Sequence, residues 1–320
     1  MFEPTFMTVH NGDVDIRVAH TGSGPLILCI HGWPELWYSW RHQMAHFAAR
    51  GFRVAALDVR GYGGSSKPPE IGAYRLSELC SDAAAVIDAL GDGEAIVFGH
   101  DWGAPIAWNT ARFHADKVRA VAGLSVPYTP VGPVSSVEMW KERYEGKFFY
   151  QLYIQQPGVA EAEVSADNGR ALRMIYYAAS GDADRSLFVE KPADAGLLDG
   201  MIDPDPFPAW LTAEDLQVYI DAFDAGGWVG PFNRYRAQHL DAEELGSLPD
   251  PELAQPAAFI GGELDGVRKF VPGLDLYDLA SMACTDFRGT TIIPGVGHWV
   301  QQEAPEATNA ALDAFIDSLS

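Results

Sequence analysis

Cysteine is scarce in this chain, with three in 320 residues, at Cys29, Cys80 and Cys284. An odd, scattered set makes no disulfide framework, and without a CxxC pair it offers no zinc motif. A disulfide-stapled secreted scaffold is excluded, and a reducing cytoplasm is the expected compartment. Basic residues are also few: 22 Lys and Arg stand against 44 Asp and Glu, a formal net charge of −22. Such a surface repels a phosphate backbone, which argues against nucleic acid as a partner. Long apolar runs are missing too. No segment approaches the roughly 18 residues a membrane helix needs, and the opening MFEPTFMTVHNGDVDIRV lacks the basic-then-apolar order of a secretory leader. No membrane partner is therefore expected. What remains is ordinary globular composition, 48% hydrophobic and 21% charged, which supports a sizeable core and excludes disorder. The length suits one large domain or two modest ones.

Short apolar runs rich in β-branched residues recur along the chain, at Leu26–Ile30, Phe52–Leu57, Ala95–Phe98, Val118–Val126, Ala257–Ile260 and Thr290–Ile293. They read as strands buried on both faces of a parallel sheet. Val14–His20 alternates apolar and polar residues and reads as a further strand. Helical patterns lie between several of these: Trp37–Arg50 closing on Gly51, Leu76–Leu90 closing on Gly91, one following Asp101, and Glu306–Leu319. Alternating strands and helices predict an α/β fold. The rhythm fails between about Pro127 and Leu240. There strand signals vanish, Gly181–Pro208 reads as an irregular Asp- and Pro-rich loop, and Thr212 opens a helix with Asp215 in capping-box position. The expected organisation is a core of residues 1–127 and 241–320, interrupted by a helical cap over 128–240.

The sharpest local signal is an apolar strand running into Gly99-His100-Asp101-Trp102-Gly103 and then into a helix with Pro105 in its first turn. This is the G-x-nucleophile-x-G elbow, with Asp101 in the nucleophile position. A Gly-rich turn with a capping Asp would look the same locally. Two later loops separate the readings, because Asp265 and His298 each follow a probable strand, in the order nucleophile, acid, histidine. The early segment LILCIHGWPE (Leu26–Glu35) suits an oxyanion loop, in which the backbone N–H of Trp33 would join that of Trp102. His42 and His46 stand four apart, but no Glu follows His42 and no third ligand is apparent, so no metal is expected. Gly61-Tyr-Gly63-Gly64 lacks the spacing of a phosphate loop.

Taken together, these motifs make the chain resemble the epoxide hydrolases of the α/β-hydrolase superfamily. The likeness runs through His31-Gly32-Trp33-Pro34, Asp58-Val-Arg-Gly-Tyr-Gly-Gly-Ser65, Gly99-His100-Asp101-Trp102-Gly103, Asp265 and Gly297-His298-Trp299. It continues in the insertion at Phe149-Tyr-Gln-Leu-Tyr-Ile-Gln-Gln-Pro-Gly158 and Gly230-Pro-Phe-Asn-Arg-Tyr-Arg236, which carry two cap tyrosines, Tyr150 and Tyr235. The residues after Tyr235 read RAQHLD, where relatives often have an aromatic, a departure that concerns cap packing. The resemblance implies a cofactor-independent enzyme, monomeric or homodimeric, that adds water to a hydrophobic epoxide to give a vicinal diol.

Its chemistry suits the residue types. Attack by Asp101 on saturated carbon leaves an ester that ordinary acyl chemistry can cleave. A phenol, with an ordinary pKa of about 10, can protonate the more basic alkoxide of the opening ring. His298, oriented by Asp265, would activate the water, and the Trp33 and Trp102 N–H groups would receive the oxyanion. Trp33, Trp102 and Phe149, with Trp140 and Tyr128, are expected to line an apolar pocket. Glu35 is a candidate for holding the water, against the commoner exposed loop glutamate. His31 and His100 are expected to hold loops by hydrogen bonds. Two other readings stay open: a haloalkane or haloacid dehalogenase using the same Asp nucleophile, and an idle hydrolase fold that binds a ligand.

Overall fold

The computed structural model describes residues 3–91, 93–184, 191–249 and 252–319. Eight strands form one sheet: β1 (Thr5–Asn11), β2 (Val14–Gly22), β3 (Leu26–Ile30), β4 (Arg53–Leu57), β5 (Ala95–His100), β6 (Val118–Leu124), β7 (Ala257–Gly262) and β8 (Phe287–Ile293). Their spatial order is β1-β2-β4-β3-β5-β6-β7-β8. β2 pairs antiparallel with both β1 and β4, and every later pairing is parallel. The apolar runs have the expected consequence: all residues of β3, β5 and β7 are buried, as a strand covered by helices on both faces requires. Helices α1 (Arg41–Ala49), α2 (Leu76–Leu90) and α3 (Gly103–Phe113) connect successive strands. After β8 come α11 (Val300–Glu303) and α12 (Pro305–Asp317). Phe47 of α1, Phe98 of β5 and Trp108 of α3 are almost wholly shielded from solvent, each stabilising the fold by about 1.5–3 kcal/mol.

Some boundaries differ from the sequence reading for physical reasons. The helix expected at Trp37 begins with a 3₁₀ turn, Trp37–Trp40, before α1, a tightening common at helix starts. β1 carried no visible pattern because it is an edge strand with Val9 its one fully buried residue. β8 begins three residues early at Phe287, through an exposed stretch without apolar alternation.

Between β6 and β7 the described chain has seven helices and no ladder strand: α4 (Ser136–Arg143), α5 (Tyr150–Ile154), α6 (Val159–Val164), α7 (Asn168–Ala179), α8 (Ala213–Gly226), α9 (Val229–Arg236) and α10 (Gln238–Leu245). Thr212 and Asp215 close the expected capping box on α8, with reciprocal bonds of 3.1 Å. The irregular stretch 181–208 has no helix where it is described; residues 185–190 within it lie outside the described residues. The boundary expected between residues 240 and 241 falls inside α10, which runs on until Gly246.

The turn from β5 to α3 depends on two glycines. A Cβ on Gly99 would stand 2.1 Å from the Gly103 carbonyl oxygen, and one on Gly103 would stand 2.0 Å from that of Ile30. Neither approach is sterically possible with a side chain. The turn can therefore be tight enough to lift Asp101 off the sheet, and it holds Asp101 at φ 51°, a left-handed conformation uncommon for a non-glycine residue.

Candidate active site

Asp101 stands at the carboxyl end of β5 with its two oxygens differently engaged. Oδ1 accepts the Trp33 backbone N–H at 2.6 Å, and Oδ2 lies 3.4 Å from His298 Nε2. The Trp33 loop can come this close because Gly32 has no side chain: a Cβ there would be 2.4 Å from Asp101 Oδ1. His298, on the loop after β8, turns its other nitrogen to Asp265, with Nδ1 2.9 Å from Asp265 Oδ2. Asp265 sits on the loop after β7, buried, and also accepts the Tyr277 hydroxyl at 2.6 Å and the Val267 N–H at 2.9 Å. The structure thus brings Asp101, His298 and Asp265 into one chain of contacts, from three separate strand ends.

Charge tunes this chain. Burial works to lower the His298 pKa, but the negative charge of Asp265, and then the bonds to Asp101 and Asp265, hold it well above the ordinary histidine value. Burial works to raise the Asp265 pKa, and the charge and hydrogen bond of His298, with those of Tyr277 and Val267, hold the carboxyl below its ordinary range.

Tyr150 opens α5 and Tyr235 lies near the end of α9, their rings 5.8 Å apart at 79°. The Tyr235 ring also packs edge-on to Trp102 at 5.3 Å and to Trp33 at 5.9 Å. Burial is the first cause raising both phenol pKa values, with further upward pressure from the Asp101 charge. Both hydroxyls therefore stay protonated and can donate.

A cavity of about 260 Å³ opens beside Asp101 and Tyr150. Trp102, Trp108, Tyr128, Trp140 and Phe270 are among its walls. Two residues expected in that wall lie elsewhere. Phe149 is buried and stacks on Tyr144, ring centroids 4.2 Å apart, because the start of α5 turns it into a cluster with Trp140 and Phe270. Trp33 keeps its backbone beside Asp101, while its indole packs among Tyr150, Trp228, Phe232 and Tyr235.

Glu35 departs furthest from expectation. A turn closed by the Glu35 N–H on the Gly32 carbonyl folds it inward, and it is completely buried. Oε2 accepts from the Gly32 N–H at 3.1 Å and faces His100 Nδ1 at 2.7 Å. Oε1 accepts from Gln301 at 2.9 Å and Gln302 at 3.2 Å. These contacts occupy the four acceptor sites of a carboxylate, leaving none for a water: Glu35 is a structural tie between loops. His100 carries the tie onward, its Nε2 2.7 Å from the His298 carbonyl oxygen. His31 anchors the Trp33 loop, with Nε2 accepting from the Val59 N–H at 2.9 Å and Nδ1 2.8 Å from the Gly32 oxygen.

Sequence reasoning did not find Tyr277 or Glu303. Glu303 accepts the backbone N–H groups of Gly181, Gly297 and Trp299 at 2.7–3.0 Å and so holds the His298 loop from below. Neither residue lies in a recognisable motif. Among the described residues no group of three or more His, Cys, Asp or Glu side chains could hold a metal, and no helix is long and apolar enough to cross a membrane.

A mostly parallel eight-stranded sheet with Asp101 on a tight strand-to-helix turn after β5, and an acid and a histidine on the loops after β7 and β8, is the architecture of an α/β-hydrolase. Residues 25–159 match the α/β hydrolase fold family. Over its whole length the chain is 38% identical to epoxide hydrolase A of Mycobacterium tuberculosis, covering 99% of that protein. An epoxide hydrolase from an endophytic Streptomyces superposes with a TM-score of 0.93 at 39% identity, covering 99% of this chain and 96% of that one. Epoxide hydrolase A of Mycobacterium thermoresistibile superposes with a TM-score of 0.90 at 38% identity, covering 98% of each. The chain belongs to the epoxide hydrolase family.

Proposed function

We propose that this protein hydrolyses hydrophobic epoxides to vicinal diols through a covalent ester on Asp101, beneath a cap formed by α4–α10. The observation that carries this reading is the contact chain Asp101–His298–Asp265 standing below two phenols. In the first step Asp101 Oδ2 attacks a ring carbon as the C–O bond breaks. Tyr150 gives its proton to the departing ring oxygen, and Tyr235 donates a hydrogen bond to the same atom. In the second step a water adds hydroxide to the acyl carbon and gives its proton to His298, whose imidazolium Asp265 stabilises. The oxyanion formed there meets the N–H groups of Trp33 and Trp102. Collapse releases the diol, which takes the proton from His298, and the proton left on the Asp101 carboxyl restores the phenol of Tyr150.

A dehalogenase would need donors for a halide, which takes up no proton as it leaves. Two protonated tyrosines match an oxygen leaving group better, and the apolar walls match a hydrophobic substrate. The test is intact-mass analysis of a His298→Gln variant mixed with styrene oxide. The expected result is an adduct on Asp101 that accumulates because attack survives while hydrolysis stalls. Turnover of chlorobutane or fluoroacetate with no action on epoxides would overturn the reading, as would a folded variant that forms no adduct with an epoxide the wild type consumes.

A further inference from the structure

A second line of hydrogen bonds, outside the Asp101–His298–Asp265 chain, ends on Tyr150. Gln151, Gln238 and Ser136 meet in the cavity wall, from α5, α10 and α4 respectively. Gln151 Nε2 lies 3.0 Å from the Tyr150 hydroxyl oxygen. Gln151 Oε1 lies 3.3 Å from Gln238 Nε2, and that nitrogen also reaches the Tyr235 carbonyl oxygen at 3.0 Å. Gln238 Oε1 accepts the Ser136 hydroxyl at 2.5 Å.

Chemistry fixes the direction of this line. A backbone carbonyl can only accept, so the Gln238 atom against Tyr235 must be the amide nitrogen. The second hydrogen of that nitrogen then faces Gln151, whose opposing atom must be the carbonyl oxygen. Gln151 is thereby obliged to present its NH₂ group to Tyr150. The Tyr150 oxygen accepts in that bond, and its own proton must point elsewhere. Gln238 touches both tyrosine-bearing helices, α5 through Gln151 and α9 through the Tyr235 carbonyl, so it also holds the two phenols in register.

We propose that Gln151, locked by Gln238 and Ser136, is a positioning residue that aims the Tyr150 proton into the cavity and stabilises the tyrosinate left after ring opening. The inference rests on the epoxide-opening function proposed above. In that step the phenol O–H bond breaks, the ring oxygen gains the proton, and the Asp101–carbon bond forms. The negative charge appears on the Tyr150 oxygen, where the Gln151 N–H becomes a charge-assisted donor of the stronger kind. The same bond draws the Tyr150 pKa down against the larger upward effect of burial.

The test compares wild type with Gln151→Met, similar in length but without a donor, and with Gln238→Met, which keeps Gln151 but unlocks it. Rapid-quench mass spectrometry with styrene oxide separates ester formation from ester hydrolysis. Ester formation should slow about 10- to 100-fold in Gln151→Met, less than the roughly 10²–10⁴-fold that loss of the general acid itself would cost, and less again in Gln238→Met, while hydrolysis of the formed ester stays within about threefold. Equal losses in both steps, or no loss in ester formation, would overturn the proposal. A second measurement needs no substrate. With 3,5-difluorotyrosine installed at position 150, its ionisation is read by absorbance, and Gln151→Met should move that ionisation upward by about one pH unit. An unmoved ionisation overturns the positioning role even if the wild type acts on no epoxide, whereas a moved ionisation without any epoxide turnover rejects the reaction and keeps the hydrogen-bond line. Should Gln151→Met misfold, Gln238→Met carries both readouts.

Discussion

The carboxylate of Asp101 faces His298 Nε2 at 3.4 Å, and its charge has a pH consequence for the imidazole. The charge of Asp101 is one of the influences holding the His298 pKa up in the free protein. In the proposed mechanism esterification of Asp101 would remove that charge, so His298 should become easier to deprotonate in the step where it is proposed to act as a base. Single-turnover ester hydrolysis should therefore rise with pH through a midpoint below the His298 midpoint that NMR reads in the free protein. Coincident midpoints would show that the Asp101 charge does not reach the imidazole. A stability effect follows from the same shift. The folded-state pKa of His298 is raised above its unfolded value, so its contribution is complete below about pH 6.5, the unperturbed histidine pKa, and is lost as pH rises through the folded value. Denaturation curves of wild type should weaken over that window more steeply than those of His298→Gln. The two phenols offer another check. Replacing Tyr150 and Tyr235 together by Phe should slow ester formation by about 10²–10⁴-fold, the range for general acid catalysis, with ester hydrolysis left close to wild type in rapid-quench traces.

Loops and helices bring these side chains together, and their support is testable separately from the chemistry. Removing the Glu303 carboxylate by Glu303→Ala leaves three backbone N–H groups behind the His298 loop without their acceptor. The expected cost is about 2–4 kcal/mol, measured by urea unfolding, at the scale of unsatisfied buried donors. Gly32→Ala acts differently, since its methyl would press on the Asp101 carboxylate at 2.4 Å. Ester formation should collapse there and stability should fall by about 1–3 kcal/mol in urea unfolding, the scale of overpacking; unchanged ester formation would show that the loop can yield. How far this arrangement is legible from sequence depends on how local each signal is. The β5 turn could be read because the Gly99–Gly103 pattern is contiguous and Gly99 is required by the Gly103 carbonyl four residues on, although what excludes a side chain at Gly103 is Ile30 of the neighbouring strand. α2 could be read because its apolar spacing and terminal Gly91 are complete in themselves. Glu35 was misplaced because its burial is decided by Gln301 and Gln302, which join it only after the sheet closes. Phe149 was misplaced for a similar reason: its neighbour Phe270 comes from beyond β7. Tyr277 and Glu303 left no trace, since a hydroxyl that donates to the Asp265 carboxylate and a carboxylate that accepts loop N–H groups have no fixed spacing to betray them.

At the scale of the whole molecule the net charge of −22 acts on stability rather than on the reaction. Like charges repel across the folded surface, and salt screens them over a Debye length of about 8 Å at 0.15 M. Thermal melts should shift upward as sodium chloride is raised from about 10 mM to about 0.5 M. An unchanged or falling Tm would mean that local ion pairs, such as Arg173 with Asp203 at 2.7 Å, outweigh the net repulsion.

The position of the helical insertion in the chain has its own consequence, for the order of assembly. Asp101 and the Trp33 loop are contributed by β3–β6, but Asp265 and His298 come from β7 and β8 after about 130 intervening residues, a contact of high sequence separation. Parallel pairing of β6 with β7 across that span is non-local and should be a late event. On the proposed mechanism, a chain in which that pairing has not formed would have Asp101 without the His298 base proposed to regenerate it. Regain of activity after refolding should therefore follow the last long-range closure and not the earlier formation of the nucleophile turn, so an incompletely folded chain could be alkylated but not turn over.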